Sequence, residues 1–232
     1  MSTTLSKRLK NKKGKNFKDI VVLMSGGLDS SVAAHLLCKQ YNCNIWPLYI
    51  KRGAAAEKHE IASLKKILRW LAKEFPSKIR PVKMVSCQYP PKNLKKVYPK
   101  DVQDKVGYNG RETVFTEVAI FYSLTKFSHS TETCAVATGS LAMDLFPHNS
   151  PAYWQQMSQL SKLELGDLTI RIIHPLQSGS KISPAVKSRV YRYAKSIGLP
   201  VEQTRSCVAS TAKPCGRCLE CRQRQNAASV KE

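Results

Sequence analysis

Residues 20–30 read Ile20-Val21-Val22-Leu23-Met24-Ser25-Gly26-Gly27-Leu28-Asp29-Ser30. An unbroken apolar run ends in Ser-Gly-Gly, and Asp29 and Ser30 then open an amphipathic segment. Such a run marks a strand buried on both faces of a parallel sheet. Gly26 and Gly27 make the turn, where a Cβ would hinder close approach of the backbone. The segment behind them offers a helix N-terminus, whose unpaired N–H groups and dipole favour an anion. A Walker loop is excluded, because its Gly-x-x-x-x-Gly-Lys-Ser/Thr spacing is missing. The stretch therefore predicts a phosphate cradle of Ser25, Gly26, Gly27, Leu28, Asp29 and Ser30. Ionised Asp29 cannot donate a hydrogen bond, so it is expected to cap the helix or to hold Mg²⁺.

Working outward, strands are predicted at about 20–24, 45–50, 79–85, 134–138 and 168–173. Helices are predicted at about 29–40, with Val32, Ala33, Leu36 and Leu37 buried, and over Ile61, Leu64, Leu68, Leu71 and Phe75, stopped by Pro76. A further helix has Val114, Val118, Phe121, Tyr122 and Thr125 on its inner face. Two more cover about 152–164 and 184–197, the last ending at Gly198-Leu199-Pro200. Pro90, Pro91 and Pro99 mark an irregular crossing through about 110. Strands alternating with helices predict an α/β fold, a parallel sheet with helices on both faces. Ligands in such sheets lie beyond the carboxyl ends of the strands, here 25–27, 50–53 and 139–148. The expected division is a flexible basic arm at 1–18, an α/β domain at 19–200 and a C-terminal cysteine-bearing segment at 201–232.

The chain has 232 residues, 42% of them hydrophobic, enough for a substantial core. Its net charge is +22, from 38 Lys+Arg against 16 Asp+Glu. The surplus sits in the arm, in 51–100 and in the C-terminal third, whereas 101–180 carries more acids than bases. A nucleic-acid partner and a merely solvated lysine-rich surface both explain this, and both stay open. No apolar stretch approaches the length of a membrane span. The basic N-terminus lacks the apolar core of a secretory signal, so the cytoplasm is the expected compartment.

Cys207, Cys215, Cys218 and Cys221 give the spacing C-x7-C-x2-C-x2-C. Four thiols this close in a chain without a secretion signal indicate a metal, not disulfides. A closed four-cysteine structural zinc site is expected, with an iron–sulfur cluster as the alternative. Gly216 eases the turn between ligands. Arg205, Lys213, Arg217, Arg222 and Arg224 are expected to offset the negative tetrathiolate centre. Cys38, Cys43, Cys87 and Cys134 lack ligand spacing and read as small buried hydrophobes.

The Ser25–Ser30 loop combined with the cysteine cluster resembles the 7-cyano-7-deazaguanine synthase family of the ATP pyrophosphatase superfamily, over about 19–228. Gly110-Arg111-Glu112-Thr113-Val114-Phe115, Gly139-Ser140-Leu141-Ala142-Met143-Asp144 and His174-Pro175-Leu176 are similar to further motifs of that family. So is Thr204-Arg205-Ser206-Cys207. The chain departs from it at Glu112 and Leu141, each an Asn in the family, and across Phe146-Pro147-His148-Asn149-Ser150. Arg205 stands for a Trp and Val208 for a Tyr. The retained parts concern ATP and metal, and the altered parts concern the substrate.

The resemblance implies a Rossmann-like pyrophosphatase-loop sheet that binds ATP with Mg²⁺. It implies attack of a substrate carboxylate on the α-phosphate, then capture by ammonia as an amide and dehydration to a nitrile, in queuosine or archaeosine synthesis. On that basis Asp29, Arg111 and Asp144 are the expected catalytic residues. Arg111 would meet phosphate or carboxylate, and Asp144 a purine-like edge or the metal. Lys181 and Lys187 are candidates for the phosphates, Tyr49, Lys51 and Arg52 for adenosine, and His148 for substrate. His35, His59 and His129, on helical stretches, are expected to be surface or partly buried residues. A homodimer is expected, since open sheet edges need cover. Three readings stand: a ligase acting on a small deazapurine carboxylate with ammonia, a divergent relative modifying a nucleic acid or protein, and a nucleic-acid-binding module with a vestigial ATP site.

Overall fold

The computed structural model describes residues 17–127, 133–141, 146–166, 168 and 170–230. Five parallel strands pair in the order β3-β2-β1-β4-β5. They are β1 (Asp19–Leu23), β2 (Asn44–Lys51), β3 (Lys83–Ser86), β4 (Cys134–Ala137) and β5 (Arg171–Ile173). In register, Val21 lies opposite Trp46 on β2 and Val136 on β4.

The period of two in β1 divides the core. Ile20 and Val22 point to the face covered by α1 (Leu28–Tyr41), α2 (Glu57–Glu74) and α7 (Lys187–Ser196). Val21 points to the opposite face, against Ala119, Ile120 and Phe127 of α5 (Arg111–Phe127). Burying each such aliphatic side chain is worth about 1.5–3 kcal/mol. The central helix α1 is buried nearly all round, because α7 and the aromatic residues of α2 cover its outer side. His35 of α1 is only 2% exposed, so it is fully buried where the sequence suggests a surface or partly buried position. Its ring lies 5.1–5.8 Å from Phe75, Tyr193 and Trp70, and its Nδ1 is 3.0 Å from the Tyr193 hydroxyl. Burial first, then Lys39 and Lys181, bring its pKa down to about 4.

Several boundaries and faces differ from the sequence expectation. The crossing before α5 holds two short helices, α3 (Lys92–Val97) and α4 (Lys100–Val106), which start directly after Pro91 and Pro99. Proline suits such a start, since its missing N–H costs a helix beginning nothing. In α5 the period is right and the face is turned: Val118 and Tyr122 pack against the core as expected, but they do not centre the buried stripe. Thr116, Ala119, Ile120, Ser123 and Phe127 face inward, and Phe121 is 70% exposed. Small and hydroxyl side chains let that helix lie close to the sheet, so the largest hydrophobes do not mark its inner stripe. The inner face of α2 is the expected one, with Leu64 and Leu71 buried and Ile61, Leu68 and Phe75 packed against the same core, and Glu60 and Ile67 are buried with them. The 168–173 strand shortens to β5, and the 184–197 helix begins only at Lys187. A last helix, α8 (Leu219–Ser229), follows the cysteines and packs on α7. Cys38, Cys43 and Cys134 are buried, whereas Cys87 is half-buried. Phe17 is buried against Tyr41, and no described helix is long and apolar enough to cross a membrane.

Candidate nucleotide and metal sites

The strand order reverses direction between β1 and β4, so the chains leaving these neighbours diverge and open a crevice at their carboxyl ends. A cleft of about 310 Å³ lies there. Ser25, Gly27, Asp29 and Ser30 form its floor, with Thr138, Gly139 and Ser140 from the end of β4 beside them.

Gly26 has φ +76°, and a Cβ built on it would lie 2.6 Å from the Leu64 nitrogen and 2.7 Å from the Glu60 carbonyl. The loop is thus pressed against the backbone of α2. A Cβ on Gly139 would lie 2.7 Å from the Ser30 nitrogen, so the β4 turn seats on the first turn of α1. Gly27 is the N-cap of α1, and among the described residues no side chain caps that helix. This corrects the expectation that Asp29 could cap, and leaves first-turn N–H groups facing the cleft. Ser25 Oγ accepts from Gly27 N at 3.3 Å, and the Ser30 and Ser31 hydroxyls donate to the Gly27 carbonyl at 3.3 and 2.6 Å. Asp29 Oδ2 accepts from Lys187 Nζ at 2.5 Å. Among the described residues, buried Asp29 Oδ1 has no hydrogen-bond partner, an oxygen suited to a hard cation.

At the end of β2, Arg52 grips Glu60 with two bonds of 2.9 and 2.7 Å, and the Tyr49 hydroxyl donates to the same carboxylate at 2.8 Å. Burial, then the Glu60 charge, push the Tyr49 phenol up. For Arg52, burial opposes the charge, but the Glu60 bonds and charge outweigh it and raise its pKa. Tyr49, Arg52 and Glu60 line the cleft, and Lys51 points to solvent. Glu60 went unnoticed in the sequence, although an acid at the 60/64/67/71 spacing of a buried stripe was its signal.

Arg111 also lines the cleft, but it is already engaged, with Nη2 and Nε 2.7 and 2.8 Å from Glu112 Oε1. Asp144 lies outside the described residues, as does His129. From the altered loop it is Asn149, not His148, that reaches the cleft. His148 is buried with its ring stacked on Phe146 at 5.4 Å. Behind the β4 turn, His174 Nδ1 is 2.9 Å from Thr138 Oγ1 and its ring packs 4.1 Å from Trp154. Burial lowers the His174 pKa to about 3, so it is neutral. Lys181 sits over the Tyr193 ring at 4.7 Å, outside the cleft lining.

The sulfurs of Cys207, Cys215, Cys218 and Cys221 all lie within 4.8 Å of one another. A tetrahedral metal with bonds of about 2.3 Å needs sulfurs about 3.8 Å apart. Cys207 and Cys218 are 4.0 Å apart, so the four thiolates fit such an ion with small movements. Cys215 N donates to Cys207 Sγ at 3.3 Å. The Arg217 and Cys218 backbone N–H groups bring the Cys215 thiol down to about 6, and burial first of all pushes Cys221 up to about 12. Arg205 and Arg224 do not turn to the sulfurs as the sequence suggested. The Arg205 guanidinium donates to the carbonyls of Cys207, Ala209, Thr211 and Ala212, and Arg224 to Thr204 and Val201. Unpaired main-chain carbonyls in a tight loop claim these donors first.

A phosphate-type loop at the switch point of an open parallel sheet, with a four-thiol cluster on its rim, defines the class: a doubly wound α/β protein with a metal-binding appendage. Residues 19–231 match the model of the family "Queuosine biosynthesis protein QueC", and the chain belongs to that family. A 7-cyano-7-deazaguanine synthase from Methanosphaerula palustris is 30% identical over 89% of this chain and 92% of its own. One from Prochlorococcus marinus strain MIT 9312 is 28% identical over 90% and 93%. A 4-thiouridine synthetase solved with RNA and bound ATP superposes at a TM-score of 0.45 and 21% identity, over 91% of this chain and 51% of that one, too distant a likeness to bear on function.

Proposed function

We propose that this protein is an ATP-dependent, 7-cyano-7-deazaguanine synthase-like ligase. The observation that carries the reading is the uncapped N-terminus of α1 opening onto the cleft behind the Ser25-Gly26-Gly27 turn. First-turn N–H groups and the Ser25 and Ser30 hydroxyls would hold ATP phosphates. Asp29 Oδ1 would ligate Mg²⁺, which supplies charge neutralisation at the phosphates. Lys187, paired with Asp29, would serve the phosphates, and Arg111, paired with Glu112, the phosphates or the substrate carboxylate. A substrate carboxylate attacks the α-phosphate, pyrophosphate leaves, and ammonia displaces AMP from the acyl-adenylate to give an amide. A second ATP then adenylylates the amide oxygen with loss of pyrophosphate, and departure of AMP carrying that oxygen, with loss of the two N–H protons, leaves the nitrile. The protein's part is positioning and charge stabilisation. Zinc at the four cysteines would hold the rim without taking part in the chemistry.

A second reading rests on Glu112. Its carboxylate neutralises Arg111 inside the cleft, which disfavours a small carboxylate there and favours a substrate carrying donors, as in a divergent relative acting on a nucleic acid or protein. One experiment separates them. ATP, ammonia and 7-carboxy-7-deazaguanine should give amide or nitrile by mass spectrometry. Pyrophosphate release only when RNA, DNA or a partner protein is added would replace the first reading with the second.

A further inference from the structure

The nucleotide loop is linked to the cysteine-bearing segment at two points, once directly and once through Lys187 of α7, and each lies within two residues of a thiol. At the first, Arg205 N donates to the Gly26 carbonyl at 2.8 Å, and a Cβ on Gly27 would lie 3.2 Å from the Arg205 carbonyl. Arg205 stands two residues before Cys207, and its guanidinium gathers the carbonyls of the 207–212 loop. At the second, Lys187 Nζ bridges Asp29 Oδ2 at 2.5 Å and Glu220 Oε2 at 4.0 Å. Glu220 lies between Cys218 and Cys221, in the first turn of α8, and it lines the nucleotide cleft together with Arg205 and Ser206.

The cysteines close this path on itself. Cys207 follows the Arg205 contact, Cys218 is the N-cap of α8, and Cys221 stands one residue past Glu220. An ion drawing the four sulfurs together fixes the spacing between the Arg205 backbone and the start of α8. The two anchor points of the loop, at Gly26 and Asp29, are then set by one coordination sphere. Without the ion, that spacing rests on the Cys215 N–H to sulfur contact and on the side-chain bonds of Arg205 to the 207–212 carbonyls and of Arg224 in α8 to Thr204 and Val201, which a coordination sphere would reinforce.

We infer that the metal cluster positions the nucleotide loop, with Glu220 as the positioning residue that acts on Asp29 through Lys187. This rests on the nucleotide reading of the cleft given above. Linkage makes the effect reciprocal: if the bound metal steadies the loop for nucleotide, bound nucleotide must retain the metal.

The test uses the zinc-loaded full chain and a chromogenic chelator that reports zinc release. Zinc retained at equilibrium against the chelator is measured with and without saturating Mg²⁺ and α,β-methylene-ATP, while calorimetry records binding of that nucleotide. Nucleotide should raise the zinc affinity, and so reduce zinc release to the chelator, by about five-fold or more. Glu220→Gln should keep one zinc per chain and the wild-type melting profile, yet lose most of this protection. Glu220→Asp, which keeps the charge, should recover part of it. A purely structural glutamate would leave the protection intact. Nucleotide binding with unchanged zinc release, or full protection in Glu220→Gln, overturns the inference and leaves the proposed function standing. No nucleotide binding by the zinc-loaded wild type overturns both.

Discussion

Replacing Gly26 by alanine should be among the most damaging single-atom-group additions in this chain. The new Cβ would lie 2.6 Å from the Leu64 nitrogen, 2.7 Å from the Glu60 carbonyl and 3.0 Å from the Leu64 Cα. All three are backbone atoms of α2 and cannot rotate away. Left-handed backbone costs a non-glycine residue about 1–2 kcal/mol. Forcing a methyl into a packed interior costs a further 1–3 kcal/mol or so. The sum is about 2–5 kcal/mol, which for a chain of this size corresponds to a melting point lower by roughly 4–20 °C. Gly198 provides the control, with φ +69° and nothing within 4 Å of its added Cβ. Gly198→Ala should show the conformational cost alone, about 1–2 kcal/mol. Urea unfolding of both variants isolates the steric part as their difference. The backbone of α2 also carries Glu60, so Gly26→Ala should lower nucleotide affinity more than Gly198→Ala does. Equal destabilisation by the two variants would refute the close packing of loop and helix.

Glu60→Gln keeps the shape but removes the charge that holds Arg52 and the Tyr49 hydroxyl; it should cost about 3 kcal/mol in urea unfolding, within the range for breaking a buried ion pair. His174 has a folded pKa of about 3 against 6.5 unfolded, so the unfolded chain binds the extra proton between those values. Its stabilising contribution is therefore complete above about pH 6.5 and is lost as the pH falls toward 3. His174→Gln should flatten the decline of unfolding free energy between pH 6.5 and 4, and an unchanged slope would show that His174 is not held neutral. Asp29→Asn should lower kcat for ATP-dependent pyrophosphate release by about 10²-fold or more, given the size of single electrostatic contributions at such sites. Cys218→Ser should lose the bound metal by elemental analysis and destabilise by more than about 2 kcal/mol, with faster amide exchange in α8.

The architecture was legible because its signals are local. The unbroken apolar run at 20–24 requires burial on both sides, and Ser25-Gly26-Gly27 permits a turn that side chains would block. Thiol spacing in 207–221 alone points to a coordination sphere. The inner face of α5 is turned from the expected one, and that of α2 admits an unexpected acid, each for a definite reason. Packing distance to the sheet, not side-chain size, selects Thr116, Ala119 and Ser123 for the interior, and charge pairing with Arg52 lets Glu60 in. α8 escaped notice because it is mostly polar and draws its stability from packing on α7.

The sequence alone determined the strand, the turn and the thiol set, since each depends on residues adjacent in the chain. Tertiary structure decided the pairings. Lys187 lies 158 residues from Asp29, yet it is the cation that meets it, and Arg111 is neutralised by its own neighbour. Arg205, one of the cations expected to balance sulfur charge, ties a loop instead, because unpaired carbonyls lay closer. Which charges meet depends on how helices stack across the sheet, and composition and periodicity do not encode that distance.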